Sequence, residues 1–204
     1  MLVYVEYRSR NPGVDVATFH SIVGRRTEAW ADSYPDDQLL LNVGRTWRLG
    51  PEPEYLVVYY TPNYGLERLE DWERIFKSGE AERLEAQTRA TGRIDMAGCF
   101  VALADPIAAR GGRYYAEFFD VAPDRTRADV AECFSRRLSV HDNFTLHLVA
   151  DRIGRLGPDP RGIAVWGFSR YSDLAAIAEE LDETQDPIVL RQAGLYADIG
   201  EEIL

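Results

Sequence analysis

Apolar residues along the chain gather into short runs separated by turn residues, with two kinds of helical stripe between them. Residues 2–7 alternate and are rich in Val and Tyr, a strand pattern that Asn11-Pro12-Gly13 breaks. Asp15 can cap a helix to about residue 30, with Val16, Phe19, Val23 and Trp30 on one face. After a polar loop at 33–37, residues 39–47 and 55–60 read as two strands joined by Gly50-Pro51-Glu52-Pro53. Residues 66–90 read as helix, interrupted at Ser78-Gly79, and 95–103 as a fourth strand. The stretch from Asp105 to Gly112, with Pro, Ala and a Gly pair, reads as a linker.

The second half runs in the same order. Residues 114–119 form a strand pattern, and Thr126 or Asp124 caps a helix to about 138 with Val130, Phe134 and Leu138 in register. Strand patterns follow at 144–153 and 163–168, then a helix at 174–181 and a last strand at 190–199. Each half is therefore β-α-β-β-α-β, the split βαβ or ferredoxin-like motif.

Local matches support a repeat. Arg48-Leu49-Gly50-Pro51-Glu52-Pro53 returns 107 residues later as Arg155-Leu156-Gly157-Pro158-Asp159-Pro160. Tyr4-Val5-Glu6-Tyr7 returns as Tyr115-Ala116-Glu117-Phe118, Leu56–Tyr59 as Ile163–Trp166, and Ala97–Phe100 as Ala193–Tyr196. Four matches in one order predict an internal duplication, with one repeat at 1–105, a linker at 106–112 and a second repeat at 113–204.

Strand side chains alternate between two faces. One parity is aliphatic and small: Leu39, Leu41 and Val43 with Leu146, Leu148 and Ala150; Leu56 and Val58 with Ile163 and Val165; Ala97, Cys99 and Val101 with Ala193, Leu195 and Ala197. It is expected under the helices. The other parity carries Tyr4 and Glu6 with Tyr115 and Glu117, Leu40 and Asn42 with His147 and Val149, Tyr59 with Trp166, and Met96 and Phe100 with Gln192 and Tyr196. An aromatic wall with a few convergent polar groups is the composition of a small-molecule pocket.

The pattern resembles the dimeric α+β barrel superfamily. Gly50-Pro51, then residues 55–60 (Tyr-Leu-Val-Val-Tyr-Tyr) and a Leu/Glu/Arg-rich helix at 66–76, most resemble its NIPSNAP-like units. The resemblance implies two ferredoxin-like repeats packed sheet to sheet as one α+β barrel around a pocket. It also implies kinship with antibiotic-biosynthesis-type monooxygenases and with EthD-like and stress-responsive barrel proteins. Haem-binding branches use an axial His, and no His here recurs at equivalent positions in both halves. No cofactor and no metal site is expected.

Within that picture His147, on the pocket parity where the first half has Leu40, is a general base or ligand contact, or a buried histidine satisfied by a hydrogen bond. Glu6 and Glu117 either approach across the barrel and share a proton, or each pairs with an Arg or Tyr of its own half. His147, Glu117 and Glu6 are the candidate catalytic residues. Tyr4, Asn42, Tyr59, Tyr115, Trp166, Gln192 and Tyr196 are the candidate substrate contacts. His20 reads as a boundary residue, His141-Asp142-Asn143 as a loop, and Asp36-Asp37 as a solvated loop.

Composition narrows the classes. The 204 residues carry a net charge of −11, spread evenly: 12 basic against 17 acidic in 1–105, and 11 against 17 in 106–204. With no basic stripe, nucleic acid and acidic membranes are unsuited partners. Only Lys77 is a lysine, which leaves little scope for Schiff-base or P-loop chemistry. Neither a bilayer-length apolar run nor a signal-peptide pattern occurs, and Cys99 and Cys133 have no metal spacing, so a cytoplasmic protein with reduced thiols is expected. The expectation is a barrel holding a small-molecule ligand, either a cofactor-independent monooxygenase or isomerase acting on an aromatic or polyketide-like substrate, or a non-catalytic stress-associated or structural barrel protein. A homodimer is possible through residual apolar helix surface.

Overall fold

The computed structural model describes residues 1–47, 49, 53–76, 79–109, 112–178 and 186–199. Arg48, Gly50, Pro51 and Glu52 of the first Gly-Pro turn, Ser78, Gly111 and residues 179–181 of the last expected helix lie outside the described residues. The first half comprises β1 (Leu2–Arg10), α1 (Val16–Ser33), β2 (Gln38–Arg45), β3 (Tyr55–Thr61), α2 (Arg68–Phe76), α3 (Gly79–Thr91) and β4 (Gly92–Ala102). The second comprises β5 (Arg113–Val121), α4 (Arg127–Val140), β6 (Phe144–Arg152), β7 (Gly162–Phe168), α5 (Leu174–Ala178) and β8 (Ile188–Asp198).

Helix starts follow their capping residues. The Asp15 carboxylate accepts the Thr18 N–H at 2.8 Å. At α4 the cap is Thr126, which closes a reciprocal box with Asp129; Asp124 takes no part. The buried stripe of α4 is Val130, Cys133, Phe134 and Arg137, and the expected Leu138 faces outward. Steps of three and four residues keep the stripe on one face, whereas two successive steps of four rotate Leu138 off it. Asp36-Asp37 is only half a solvated loop, because Asp37 is buried and accepts from Arg68 and the Trp72 indole.

Eight strands close into one barrel in the order β1-β3-β2-β8-β5-β7-β6-β4, with β4 returning to β1. Each half contributes four antiparallel strands in the ferredoxin-like order, and two seams join them. At one, Val43–Arg45 of β2 pair with Tyr196–Asp198 of β8. At the other, Phe100–Ala102 of β4 pair with Ala150–Arg152 of β6. Beyond each seam the following loop clasps the other half. Thr46 N–H donates to the Leu195 carbonyl and Leu195 N–H to that of Leu49, while Ile153 N–H donates to the Cys99 carbonyl and Cys99 N–H to that of Leu156. The second Gly-Pro turn thus lies on β4. There Gly157, at φ +151°, approaches Gly98 so closely that a Cβ on Gly98 would lie 2.6 Å from the Gly157 Cα.

Bulges also repeat. Leu40 in β2 and His147 in β6 fall outside the ladder with the neighbouring strand, as do Asp95 in β4 and Arg191 in β8. The linker crosses one end of the barrel and bonds to the first pair of bulges: Ala109 N–H donates to the Leu40 carbonyl and Ile107 N–H to that of His147. Ala108 and Ala109 pack on the barrel core.

In β1, β3, β5 and β7, and in β2 and β6 beyond their bulges, the two faces of the sheet are the reverse of the expected arrangement. Val3, Val5, Tyr7, Leu41, Val43, Leu56, Val58, Ala116, Phe118, Leu148, Ile163 and Val165 meet inside the barrel in one buried cluster that spans both halves. Tyr4, Glu6, Tyr59, Tyr115, Glu117 and Trp166 face the helices. An eight-stranded barrel is just wide enough for side chains to fill, so modest apolar groups occupy it. Larger rings and charged pairs occupy the thicker sheet–helix layer, where long helix side chains reach them. In β4 and β8 the expected parity holds: Cys99 and Leu195 lie on the helix side, Phe100 and Tyr196 inside. Among the described residues no helix is long and apolar enough to cross a membrane.

Candidate functional site

The sheet–helix layer of each half is centred on one buried carboxylate. In the second half Glu117 takes both ends of the Arg137 guanidinium at 2.8 Å and the Trp166 indole N–H at 2.9 Å. Arg137 also donates to the Ile177 carbonyl of α5 at 3.2 Å. Phe119, Phe134, Trp166 and Ile177, all fully buried, pack around the pair and seal it.

The first half repeats the pair and opens it. Glu6 receives Arg26 at 3.2 and 3.3 Å, and Arg26 stands 111 residues before Arg137, as Glu6 does before Glu117. Two neighbours differ. Tyr59 replaces Trp166, so the indole donor is absent, and Arg8 replaces Phe119 and donates to Glu6. Above them α3 brings Glu85 to 3.4 Å from Arg26, and Arg89 to 3.3 Å from Glu85. Between β1, the start of β4, α1 and α3 lies a cavity of about 570 Å³, lined by Tyr4, Glu6, Arg26, Glu82, Glu85, Ala86, Arg89 and Ile94. The Tyr4 ring forms one wall and packs on Trp72 at 5.1 Å.

Burial alone would raise the Glu6 carboxyl, but the charges of Arg26 and Arg8 outweigh it and hold the group below its ordinary 4.5. Burial, then the Glu6 charge, push the Tyr4 hydroxyl well up, so it stays protonated. A carboxyl depressed in the folded state adds stability that is present above its unfolded pKa and disappears as pH falls through the folded one. The parent protein is therefore expected to lose urea resistance below about pH 4.5, and Glu6→Gln to flatten that part of the pH profile. Equal slopes for parent and variant would show that Glu6 is not held this way.

The expected site residues separate into six places. Tyr4 and Glu6 join at the first-half cavity, with Tyr59 buried behind them against Trp30. Tyr115, Glu117 and Trp166 form the sealed second-half layer, so the two carboxylates do not meet across the barrel. Tyr196 alone faces the barrel interior, its hydroxyl on the Pro53 carbonyl at 3.2 Å; Gln192 is half-buried at the β5–β8 bulge and Asn42 half-buried beside His20. His147 sits at the barrel rim, half-buried, its Nδ1 2.9 Å from the Ile107 carbonyl, which assigns the proton to Nδ1. It clamps the linker and lines a separate cleft of about 280 Å³ with Asn143 and Thr145. Arg8, Arg26, Glu85 and Arg89 were not among the expected residues, although the shared 111-residue spacing of both Glu–Arg pairs marks Arg26 in the sequence.

No family profile and no curated protein matches the chain. Solved structures do match in fold. A candidate chlorite dismutase shares a TM-score of 0.61 at 14% identity, covering 98% of this chain and 96% of that one. A heme-binding protein from Thermus thermophilus gives 0.58 at 12% identity, covering 98% and 92%. A candidate monooxygenase from Lactobacillus acidophilus gives 0.56 at 7% identity, covering 96% and 92%. The fold is that of the chlorite-dismutase-like and monooxygenase-like α+β barrels.

The residues present do not fit a haem. The first-half cavity is walled by two arginines and three carboxylates rather than an apolar slot, and among the described residues it offers no His, Cys or Met ligand. The second-half layer is filled by Phe134, Trp166 and the Glu117–Arg137 pair. Among the described residues no cluster of His, Cys, Asp and Glu could hold a metal ion.

Proposed function

We propose that this chain is a small-molecule-binding α+β barrel protein whose ligand occupies the first-half cavity. The observation that carries the reading is the inequality of the halves. One Glu–Arg pair is sealed by Trp166, Phe119 and Ile177, while its counterpart lies under about 570 Å³ of space with Tyr4 as a wall. The fold neighbours described as a heme-binding protein and a candidate monooxygenase support a ligand role for the architecture. The repeated topology, bulges and clasping loops support an internal duplication, with repeats at 1–105 and 113–204. The run at 55–60 supports NIPSNAP-like kinship within the superfamily.

The chemistry of the cavity favours binding over turnover. Glu6 is held ionised by two arginines and Tyr4 is held protonated, so neither is poised to exchange a proton near neutral pH. A cofactor-independent monooxygenase or isomerase is the second reading, favoured by the candidate monooxygenase in the fold comparison; oxygen uptake with an aromatic substrate would decide for it. For the first reading, crystals soaked with small aromatic fragments should show density beside Tyr4 and Ile94. Ala86→Trp, which fills the cavity without touching the Glu–Arg pair, should remove it. Fragments bound only elsewhere, or unaffected by the tryptophan, would overturn the reading.

A further inference from the structure

The cleft of about 280 Å³ beside His147, at the rim of the barrel, owes its space to a glycine within a strand. Gly167 of β7 stands where the first half has Tyr60, which packs in the barrel core. A Cβ on Gly167 would lie 2.5 Å from the His147 Nε2, so that edge of the imidazole rests on bare backbone. With the proton on Nδ1, Nε2 is an acceptor, and it meets no donor among the described residues. Asn143 and Thr145, both exposed, line the same cleft. Arg113 is the one charged side chain among the described residues lining it, in a chain of net charge −11. It is exposed, and neutral groups fix it: an Nη donates to the Ser169 carbonyl at 2.9 Å, and the guanidinium carbon lies 5.0 Å over the Tyr171 ring. No carboxylate among the described residues pairs with it. Asp142, next to Asn143 in the chain, is exposed to solvent, which screens it. Tyr171 is in turn held by the Trp47 indole N–H at 3.0 Å. Trp47 has φ +57°, a left-handed backbone that a bulky residue rarely takes, and its counterpart 107 residues on is Gly154, also at φ +57°. A strained tryptophan therefore braces the ring under the unpaired arginine.

We propose that this cleft is a second binding site, separate from the first-half cavity, and that its ligand is a small hydroxycarboxylate. The carboxylate docks on Arg113, and the hydroxyl donates to the His147 Nε2. A guanidinium with unspent donors and no counter-ion recruits an anion, and its planar fork matches a carboxylate. The acceptor on His147 calls for a donor, which a plain carboxylate lacks and a hydroxyl supplies. A single positive charge suits a monoanion better than a doubly charged phosphate. The volume lies below the usual range for drug-sized ligands, so the molecule is small. Phe168 and the bare backbone of Gly167 leave apolar surface for its carbons.

Lactate, lactamide, propionate and inorganic phosphate, titrated separately into the full chain, test this by NMR at the Thr145 methyl and the Arg113 Nε–H. Lactate should shift both and leave the Ile94 methyls of the first-half cavity unmoved. Lactamide, which lacks the charge, should bind at least about tenfold more weakly. Propionate, which lacks the hydroxyl, should bind about threefold more weakly. Arg113→Met should remove the preference for lactate over lactamide. Trp47→Gly should weaken lactate binding without lowering the urea midpoint, because it removes the brace and the backbone strain together. Unchanged lactate affinity in Trp47→Gly would overturn the brace. Lactamide matching lactate would overturn the anion, and propionate matching it would overturn the hydroxyl. Phosphate matching lactate would assign the cleft to any anion and overturn the hydroxycarboxylate. If none of the four shifts Thr145, or lactate shifts Ile94 alone, the cleft is not a binding site. The ratios among the four in the parent decide the matter even if a variant does not fold.

Discussion

Arg137→Met lowers the stability of the protein by about 3–5 kcal/mol, read as a shift of the urea-unfolding midpoint at neutral pH. The substitution leaves Glu117, fully buried, with the Trp166 indole as its remaining side-chain donor and with no counter-charge, among the described residues. Breaking one side of a buried pair is far more harmful than removing both sides. Glu117→Leu combined with Arg137→Met should therefore recover most of the loss. Arg26→Met should be milder, because Arg8 still holds Glu6. A loss below about 1 kcal/mol for Arg137→Met would show that the layer is not sealed, since that is the range of solvent-exposed pairs.

The second large effect lies inside the barrel. Phe118→Ala is expected to cost about 3–5 kcal/mol, the range for deleting a fully buried aromatic ring that its surroundings cannot close over. Phe118 is fully buried and meets Tyr7 of the other half edge-on at 5.8 Å. The ring is thus part of the contact that makes one core of two sheets, and the variant should still unfold in a single transition, earlier in urea. Had the interior been an open chamber, the same change would be close to neutral. A loss under about 1 kcal/mol would contradict a packed interior.

Much of the architecture could be read from the chain. The Gly-Pro turns, the Tyr-x-Glu strands and the order of elements lead to tandem ferredoxin-like units, and the structure has that topology. What could not be read, except in β4 and β8, is which side of a strand faces which partner. Alternation reports a face only when one face is wet, and in β1, β3, β5 and β7 both faces are buried, by the barrel on one side and the helices on the other. The bulges at Leu40 and His147 add a second obstacle, since one extra residue exchanges the faces along the rest of the strand. That is how Leu39 comes to lie under the helices while Leu41 lies in the barrel.

The site was legible in part for the same reason. Tyr4 and Glu6 were recognisable as polar and aromatic exceptions shared with the second half, but their partners come from helix positions. A buried arginine there resembles a surface one until its spacing is compared across the halves. Arg26 and Arg137 pass that comparison, and Arg8 fails it, because Phe119 stands in its place.

The linker held by both bulges bears on stoichiometry. When two identical chains build a barrel, symmetry repeats every feature, and a cavity in one unit appears again in the other. Here the segment anchored at Leu40 and His147 makes the two units parts of a single chain, so each can change without the other. One carries a ring, Phe119, beside its carboxylate and the other carries Arg8 at that position. A ligand housed beside Glu6 would therefore saturate at one molecule per barrel, with the second unit serving as its rigid counterpart.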